Sequence, residues 1–285
     1  MATPLTLTGL APAKLNLFLH VVGRRADGYH LLQSAFTLLD FGDDLRIARR
    51  EDGAIRRVSV LNGVAEQDDL VVRAARALQS AARTPFGADI EVTKRIPMGG
   101  GLGGGSSDAA SALLLLNRLW QLGLSEGELR ELGLSLGADV PFFIFGRSAW
   151  AEGVGELLQP IDIPAWWYVV ICPPVSVPTP VVFGHPELTR NTIPRKIADF
   201  SASGLVGAHN DLQPVVLKQF PAVAASFAAL QAVSQKSVFG ARMTGSGACI
   251  FAAFESGQDA REAFQRLQPG YPGFVAQGIE HHPLR

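Results

Sequence analysis

The chain has 285 residues, of which 47% are hydrophobic and 18% are charged, and its formal net charge is −1. Disordered proteins combine low hydrophobicity with high net charge, so this composition excludes that class. General nucleic-acid binders carry a basic excess, and 25 basic against 26 acidic residues argue against one. The length predicts one large domain or two modest ones. Glycine is over-represented, at 30 of the 285 residues against an average usage of about 7%.

The N-terminus and the cysteines predict a cytoplasmic protein with no membrane partner. Residues 1–10 lack the basic and apolar regions of a signal peptide. The longest apolar stretches, at 109–116 and 166–172, are far shorter than the roughly 20 residues that span a bilayer. Cys172 and Cys249 are too few for a disulfide framework, so we expect two buried thiols in a reducing compartment.

The first half of the chain predicts short strands, two capped helices and a glycine-rich loop. Apolar patterning predicts strands at 15–22, at 35–39 and 45–47 around a turn, and at 90–93, with a polar turn at 24–30. Asp69 is placed to cap a helix over 70–81. Ser106 or Ser107 is placed to cap a second helix, whose apolar stripe is Ala109, Ala112, Leu113, Leu116 and Leu119.

The rest of the chain mixes helices and strands without regular alternation, which favours an α+β fold. A capping box at Ser125 and Glu128 predicts a helix that ends near Gly137, followed by a strand at 140–145. A shift in composition at 160–164 predicts a boundary between domains at 1–162 and 163–285. Beyond it we predict a buried strand at 166–172, an extended proline-rich connector at 173–180 and a mobile loop at 184–208. Two helices, at 209–220 and 222–232, are separated by Pro221. A strand at 249–254, a helix at 259–267 and a last strand at 274–279 follow.

Six of the seven residues at 99–105 are glycine, and the loop leads directly into a helix. Glycine is entropically costly to order, so such a loop indicates that something requires exposed backbone. Backbone N–H groups at a helix N-terminus bind anions, most often phosphate. A flexible linker is the alternative. The G-x-G-x-x-G match is nearly forced by composition, and the P-loop spacing is followed by Ser106 rather than Lys, so neither standard nucleotide motif fits.

Residues 97–110, PMGGGLGGGSSDAA, resemble the phosphate loop of the GHMP kinases, whose pattern is P-x-x-x-G-L-G-S-S-A-A. Three further motifs occur in the family's order: APAKLNL at 11–17, GADVPF at 137–142 and MTGSGAC at 243–249. Four motifs across nearly the whole chain are far more specific than any one of them. The turn RRADGYH at 24–30 is similar to that of family members that phosphorylate a cytidine diphosphate derivative of methylerythritol.

The resemblance implies a ribosomal-S5-like N-terminal domain and a ferredoxin-like C-terminal domain, with the site between them. It implies an ATP-dependent kinase acting on the 2-hydroxyl of that derivative in the non-mevalonate isoprenoid pathway. Asp139 would be the base for the hydroxyl, and Lys14 its cationic partner. From the residues alone, Asp139 could equally be a structural cap, and Lys14 an exposed charge on an edge strand.

The resemblance also assigns the two ligands, ATP with Mg²⁺ and the small-molecule substrate. The ATP contacts would be Lys94, Pro97, Met98, Gly99, Gly100, Gly101, Leu102, Gly103, Gly104, Gly105, Ser106 and Ser107. The substrate contacts would be Asn16, Tyr29, His30, Thr179, Phe183 and Gly245. The metal ligands stay open: Ser107 and a water-mediated Asp139 are candidates, whereas Glu152 lies in a predicted hairpin.

Several alternatives remain open at this point. Phe183 could stack on a base or pack in the core, His30 could be a surface turn residue, and Asp211 is interpreted as a helix cap. The chain could act on another small alcohol such as homoserine or mevalonate, or bind nucleotide without catalysis. We expect no nucleic-acid partner, and a monomer or weak homodimer.

Overall fold

The computed structural model describes residues 5–61, 63–199, 205 and 207–285. Its longest elements are two strands, β1 (Thr6–Arg24) and β2 (His30–Arg50), which pair antiparallel along their length and are joined by the predicted turn. The turn predicted between 39 and 45 is wrong, because β2 continues through it. Asp43 lies there fully buried and accepts hydrogen bonds from the N–H groups of Arg95 and Ile96. Asp43, one of the polar residues that suggested a turn, is therefore a buried anchor.

Eight elements complete the N-terminal half: β3 (Ile55–Arg57), α1 (Leu70–Ala82), β4 (Gly87–Thr93), α2 (Gly104–Leu119), α3 (Glu126–Leu134), α4 (Val140–Phe145), β5 (Ala149–Glu152) and β6 (Leu157–Pro160). The cap at Asp69 is confirmed, since its side chain accepts from Val71 N–H. The capping box of Ser125 and Glu128 is confirmed as well. Glu152 ends the first strand of a hairpin, as predicted.

Two predictions about helices in this half are wrong. Helix α2 begins at Gly104 with Gly103 as its N-cap, so neither Ser106 nor Ser107 caps it. The strand predicted at 140–145 is α4, a helix of one and a half turns. Proline fits the first turn of a helix, where its missing N–H costs nothing, and Pro141 occupies that position. The first five residues of α4 are buried, so the segment carries no alternation that would separate helix from strand.

The C-terminal half contains β7 (Trp167–Ile171), α5 (Thr179–Gly184), α6 (Gln213–Gln219), α7 (Pro221–Ala232), β8 (Arg242–Met243), β9 (Ile250–Phe254), α8 (Gly257–Gln265) and β10 (Gly273–Ile279). Its four strands pair antiparallel in the order β10–β7–β9–β8. Strand β10 also pairs with β2, so one sheet runs through both halves. The predicted domain boundary lies in the extended segment between β6 and β7 and stays a prediction.

The loop predicted at 184–208 falls partly on residues 200–204 and 206, which lie outside the described residues. Its described part includes a 3-10 turn at Ile197–Asp199. Asp211 is not a helix cap: its carboxylate accepts from Val21 N–H at 2.6 Å and from Thr192 Oγ1 at 2.7 Å, and so fastens the end of this loop to β1.

No single helix in the described part of the chain is both long and apolar enough to cross a membrane. Helices α6 and α7 meet that test only together, and they are bent by 117° at their junction.

Helix α2 is the centre of the N-terminal core. Its residues from Ser107 to Leu116 are all buried, so the predicted single apolar stripe underestimates how far it is enclosed. It packs against the β1–β2 hairpin and against α1 and α4. This packing fixes the N-terminal end of α2, and the glycine loop before it, at the junction with the C-terminal half.

Candidate active site

A cleft of about 670 Å³ lies between the two halves of the chain. The glycine loop, the first turn of α2, and Lys14 of β1 line it from the N-terminal half. Thr179, Phe183 and residues 245–247 line it from the C-terminal half. The four sequence motifs therefore meet in one cavity, although they are widely separated along the chain.

The glycine loop is held against the C-terminal half by contacts that only glycine permits. Gly101 has φ +79°, and a Cβ there would lie 2.4 Å from the carbonyl oxygen of Thr244. Gly103 has φ +74°, and its Cβ would lie 2.8 Å from Phe143 and 3.1 Å from the Lys14 side chain. Left-handed backbone and close approach both exclude larger residues. The glycines serve close packing, which argues against a flexible linker.

The N–H groups of residues 98–103 donate no hydrogen bond to any other group in the described part of the chain. Every second residue of this loop, Gly99, Gly101 and Gly103, has a positive φ, and turns of this kind can direct successive N–H groups toward a bound anion. The positive end of α2 adds to that field. Free backbone N–H groups and a helix N-terminus are together the chemistry that binds phosphate groups.

The two serines that follow the loop have different positions. Ser106 lines the cleft. Ser107 does not: its side chain is fully buried, and its hydroxyl donates to the carbonyl of Pro12 at 2.6 Å. The predicted contacts of Ser107 with phosphate or a metal stay predictions, and its hydroxyl hydrogen is already committed to β1.

A buried ammonium and a half-exposed carboxylate face each other across the cleft. Lys14 Nζ lies 3.3 Å from Asp139 Oδ2, and the two side chains are 4% and 35% exposed. Asp139 occupies the N-cap position of α4, but its side chain makes no capping hydrogen bond. The carboxylate is therefore not used as a structural cap and is open to a ligand.

Asn16 holds the lysine in place. Its Oδ1 accepts from Lys14 Nζ at 2.5 Å, while its Nδ2 donates to Ser34 Oγ at 3.0 Å. Its backbone N–H donates to Thr244 Oγ1 at 2.9 Å. Asn16 lines the cleft, but its side-chain polar atoms are engaged within the protein, and its predicted contact with substrate stays a prediction. It therefore orients Lys14, in addition to any contact with substrate.

A second ion cluster supports the base of the glycine loop. Lys94 lies between two carboxylates, paired with Asp43 and at 2.7 Å from Asp108. Burial lowers the pKa of Lys94, but the two carboxylates outweigh burial and raise it. Burial raises the pKa of Asp108 to about 7, against the opposing effect of Lys94. Lys94 lines the cleft and is paired with carboxylates inside the protein, and its predicted contact with ATP stays a prediction.

The predicted substrate residues fall into two groups. Asn16, Thr179, Phe183 and Gly245 line the cleft, and Thr179 Oγ1 lies 2.7 Å from Ser246 Oγ. Tyr29 and His30 lie outside its described lining, and Tyr29 is 65% exposed. The His30 ring nevertheless contacts the Phe183 ring, with 5.1 Å between centroids. The turn after β1 is therefore connected to the cleft by the contact between His30 and Phe183.

Two family models match the chain. The GHMP kinases N terminal domain matches residues 69–147, and the GHMP kinases C terminal domain matches residues 191–272. The chain belongs to the GHMP kinase family. A relative from Thiobacillus denitrificans, called 4-diphosphocytidyl-2-C-methyl-D-erythritol kinase, is 58% identical over 96% of each chain. A relative of the same name from Janthinobacterium sp. is 56% identical over 96% of this chain and 95% of its own.

Solved structures agree with this membership. A crystal structure of 4-(cytidine 5'-diphospho)-2C-methyl-D-erythritol kinase aligns with a TM-score of 0.83 and 35% identity, over 95% of this chain and 99% of its own. A homoserine kinase from Cytophaga hutchinsonii aligns with a TM-score of 0.68 at 18% identity, over 99% of this chain and 97% of its own, and so shows the shared fold alone. The two-domain α+β architecture expected from the sequence is that of the GHMP kinases.

Sequence reasoning missed three residues that shape the site of this GHMP kinase. Asp43 anchors Lys94 and the start of the glycine loop, but it was interpreted as part of a turn. Thr244 accepts from Asn16 N–H across the cleft. Arg190 bonds to His30 from a loop with no recognisable pattern. Of these three residues, Asp43 had a signal in the sequence, because an acidic residue inside a strand indicates a partner within the protein.

Proposed function

We propose that this chain transfers the γ-phosphoryl group of ATP to the 2-hydroxyl of 4-diphosphocytidyl-2-C-methyl-D-erythritol, a step of the non-mevalonate isoprenoid pathway. The observation that carries the proposal is the pairing of Lys14 and Asp139 at 3.3 Å in the cleft lined by the glycine loop. Relatives of 55–58% identity that bear the name of this kinase support the choice of substrate.

Phosphoryl transfer requires an aligned acceptor, removal of its proton and stabilisation of charge on the phosphate oxygens. The N–H groups of residues 98–103 and the N-terminus of α2 hold the ATP phosphates. The substrate oxygen attacks the γ-phosphorus as the bond to the β–γ bridging oxygen breaks and ADP leaves. The hydroxyl proton passes to the Asp139 carboxylate. Lys14, oriented by Asn16, stabilises negative charge on the attacking oxygen.

Mg²⁺ fits this cleft as the partner of ATP. It binds through one or two carboxylates together with phosphate oxygens and retained waters, and dedicated cages of protein ligands are not its usual site. No group of three or more His, Cys, Asp or Glu side chains suited to a metal occurs among the described residues. Ser106 and, through a water, Asp139 are the oxygen donors in the cleft that would hold it, which leaves the Asp139 carboxylate free to take the hydroxyl proton. When bound, Mg²⁺ neutralises charge on the phosphate oxygens.

We also propose domains at 1–162 and 163–285, a cytoplasmic location where ATP is available, and a monomer or weak homodimer. The continuity of the sheet through β2 and β10 implies that the two domains are closely joined. Light scattering across a hundredfold range of concentration tests the oligomeric state: a stable higher oligomer contradicts it.

ADP release with purified enzyme, ATP and Mg²⁺ tests the function. We expect turnover with 4-diphosphocytidyl-2-C-methyl-D-erythritol and none with homoserine or mevalonate. Asp139→Asn should lower kcat by about 10² or more while ATP binding stays largely intact. Asp162→Asn, at an exposed aspartate outside the cleft, is the matched control. Turnover of another alcohol without turnover of this substrate would contradict the proposed function. Near-normal turnover by Asp139→Asn would show that Asp139 is not the base.

A further inference from the structure

Two cysteines lie opposite each other where the C-terminal sheet meets the glycine loop. Strands β7 and β9 pair antiparallel up to Ile171 opposite Ile250, so the next residues in this register are Cys172 and Cys249. Both carry free, buried thiols, with Cys172 9% and Cys249 1% exposed. They are the only cysteines of the chain, so a disulfide within one chain must join these two residues.

Backbone hydrogen bonds show which kind of pair the two cysteines form. Cys172 N–H donates to the carbonyl of Pro272 at 2.8 Å, on the β10 side of β7. Cys249 N–H donates to the carbonyl of Gly100 at 3.1 Å, and its own carbonyl accepts from Thr244 N–H on the β8 side of β9. In such a non-hydrogen-bonded pair the Cα atoms of antiparallel strands lie about 4.5 Å apart. That separation is within the range of about 4.4–6.8 Å that disulfides span.

The two thiols interact directly. A hydrogen bond between them, together with burial, raises the pKa of the Cys249 thiol well above its ordinary value. Cys249 therefore stays protonated, and Cys172, the more exposed of the two, is the sulfur that an oxidant meets first. A thiol that reacts with an oxidant and a second thiol poised beside it are the arrangement typical of redox-sensing cysteines.

Cys249 also supports the glycine loop. A Cβ at Gly100 would collide with Cys249 Sγ, so the sulfur fills the space directly behind that glycine. Gly100 and its neighbours line the cleft. A disulfide shortens the distance between the two sulfurs from non-bonded contact to about 2.05 Å. Because close-packed interiors transmit strain, a displacement of Cys249 Sγ reaches the loop through Gly100.

We propose that Cys172 and Cys249 form a reversible disulfide when a hydroperoxide oxidises them, and that this bond weakens nucleotide binding at the glycine loop. The effect on nucleotide rests on the proposed function, whereas formation of the bond does not. The fold places the pair in contact, and the loop that lines the cleft lies against one of its sulfurs.

The oxidation takes two steps and consumes one peroxide. The Cys172 thiolate attacks one oxygen of hydrogen peroxide and breaks the O–O bond, which leaves a sulfenic acid on Cys172 and releases hydroxide that takes up a proton. The Cys249 sulfur then attacks the Cys172 sulfur and loses its proton, and the S–O bond breaks to release a second water. The two thiols lose two electrons, and the peroxide is reduced to two waters. A dithiol reverses the bond by exchange.

Mass spectrometry of the wild-type protein tests whether the bond forms. Reduced protein is treated with hydrogen peroxide, denatured in the presence of an alkylating reagent and digested with trypsin. We expect no alkylated cysteine, and we expect peptides 148–190 and 243–261, which carry one cysteine each, to be joined by a bond that dithiothreitol cleaves. Two alkylated cysteines, a bond between two chains, or a sulfinic acid at Cys172 overturns the proposal, whether or not any variant folds.

Titration with a non-hydrolysable ATP analogue tests the effect on the glycine loop. Peroxide should raise the Kd of the wild type about tenfold, since a displacement on the order of 1 Å in a site costs up to about 10². Dithiothreitol should restore the original Kd. In Cys172→Ala, whose folding is checked by urea unfolding, peroxide should leave the Kd unchanged. This control keeps Met98, the exposed methionine of the cleft, so any effect of methionine oxidation appears equally in both proteins.

Two results of the titration overturn the proposal. One is a disulfide that leaves the Kd of the wild type unchanged, and the other is an equal loss of affinity in Cys172→Ala. Failure of the reduced wild type to phosphorylate the cytidine substrate, when the bond forms and lowers nucleotide affinity, refutes the proposed function instead.

Discussion

Alanine at Gly101 and alanine at Gly105 should have opposite effects on stability, although both residues lie in the same run of glycines. At Gly101 the new Cβ meets the backbone oxygens of Thr244 at 2.4 Å and of Gly247 at 3.2 Å, with φ at +79°. At Gly105 φ is not in the left-handed region, and the Cβ meets only the Leu70 side chain, at 3.4 Å. The first contact requires backbone to move, and the second is ordinary packing.

The magnitude follows from these contacts. A left-handed alanine costs about 1–2 kcal/mol. Forcing extra volume into a close-packed site costs about 1–3 kcal/mol more. Gly101→Ala should therefore lower the free energy of unfolding by about 2–5 kcal/mol. Gly105→Ala lies in the first turn of α2, where alanine restricts the unfolded chain, and should raise it by about 0.5–1 kcal/mol.

Urea unfolding of the two variants and the wild type measures this difference. Titration of each protein with a non-hydrolysable ATP analogue then shows whether the displaced loop of Gly101→Ala also loses affinity, for which we expect about tenfold or more. Wild-type stability in Gly101→Ala refutes the close-approach argument. Equal damage in Gly105→Ala also refutes it, because the run would then be needed for general flexibility.

Three further changes test other parts of the structure. Lys14→Met should lower kcat about 10²–10³-fold with little change in KM for ATP, because Asp139 loses its cation; normal steady-state turnover contradicts this. Asp43→Asn should lower the free energy of unfolding in urea by about 2–3 kcal/mol, because Lys94 loses the negative charge of a fully buried partner. An unchanged midpoint argues against the role of Asp43 as an anchor. Burial lowers the pKa of His282 to about 3, so at pH values between about 6.5 and 3 only the unfolded chain takes up its proton. The wild type should therefore lose about 2 kcal/mol from this group between pH 6.5 and 5, a loss that His282→Gln removes and an unchanged pH slope disproves.

Local chemistry explains which elements the sequence predicted. The caps at Asp69 and Ser125 form hydrogen bonds within three residues, so their signatures are complete in the sequence. Segment 140–145 lacks such a signature, and only its packing shows a helix. Asp43 resembles a turn residue in the sequence, and its partners, Lys94 and the backbone at 95–96, lie in the segment that follows β4.

The candidate site shows the same division. The sequence predicted a phosphate site at the glycine loop because a run of glycines that leads into a helix leaves its backbone N–H groups exposed. The assignments of Ser107 and Asn16 were less complete, because hydrogen bonds to Pro12 and Ser34 are invisible in the sequence. The motifs identify the residues that meet in the cleft. Whether each polar atom is available to a ligand, or is already bonded to another group of the protein, is seen only in the folded structure.

Single-turnover phosphoryl transfer tests the central claim most directly. Enzyme in excess over ATP labelled in the γ-phosphate is mixed with Mg²⁺ and 4-diphosphocytidyl-2-C-methyl-D-erythritol, and the acid-quenched products are followed in the wild type and in Asp139→Asn. We expect the label to appear on the 2-hydroxyl of the cytidine substrate, about 10² or more times slower in Asp139→Asn at equal occupancy of ATP. Label released only as inorganic phosphate, or transferred equally fast by both proteins, would contradict it.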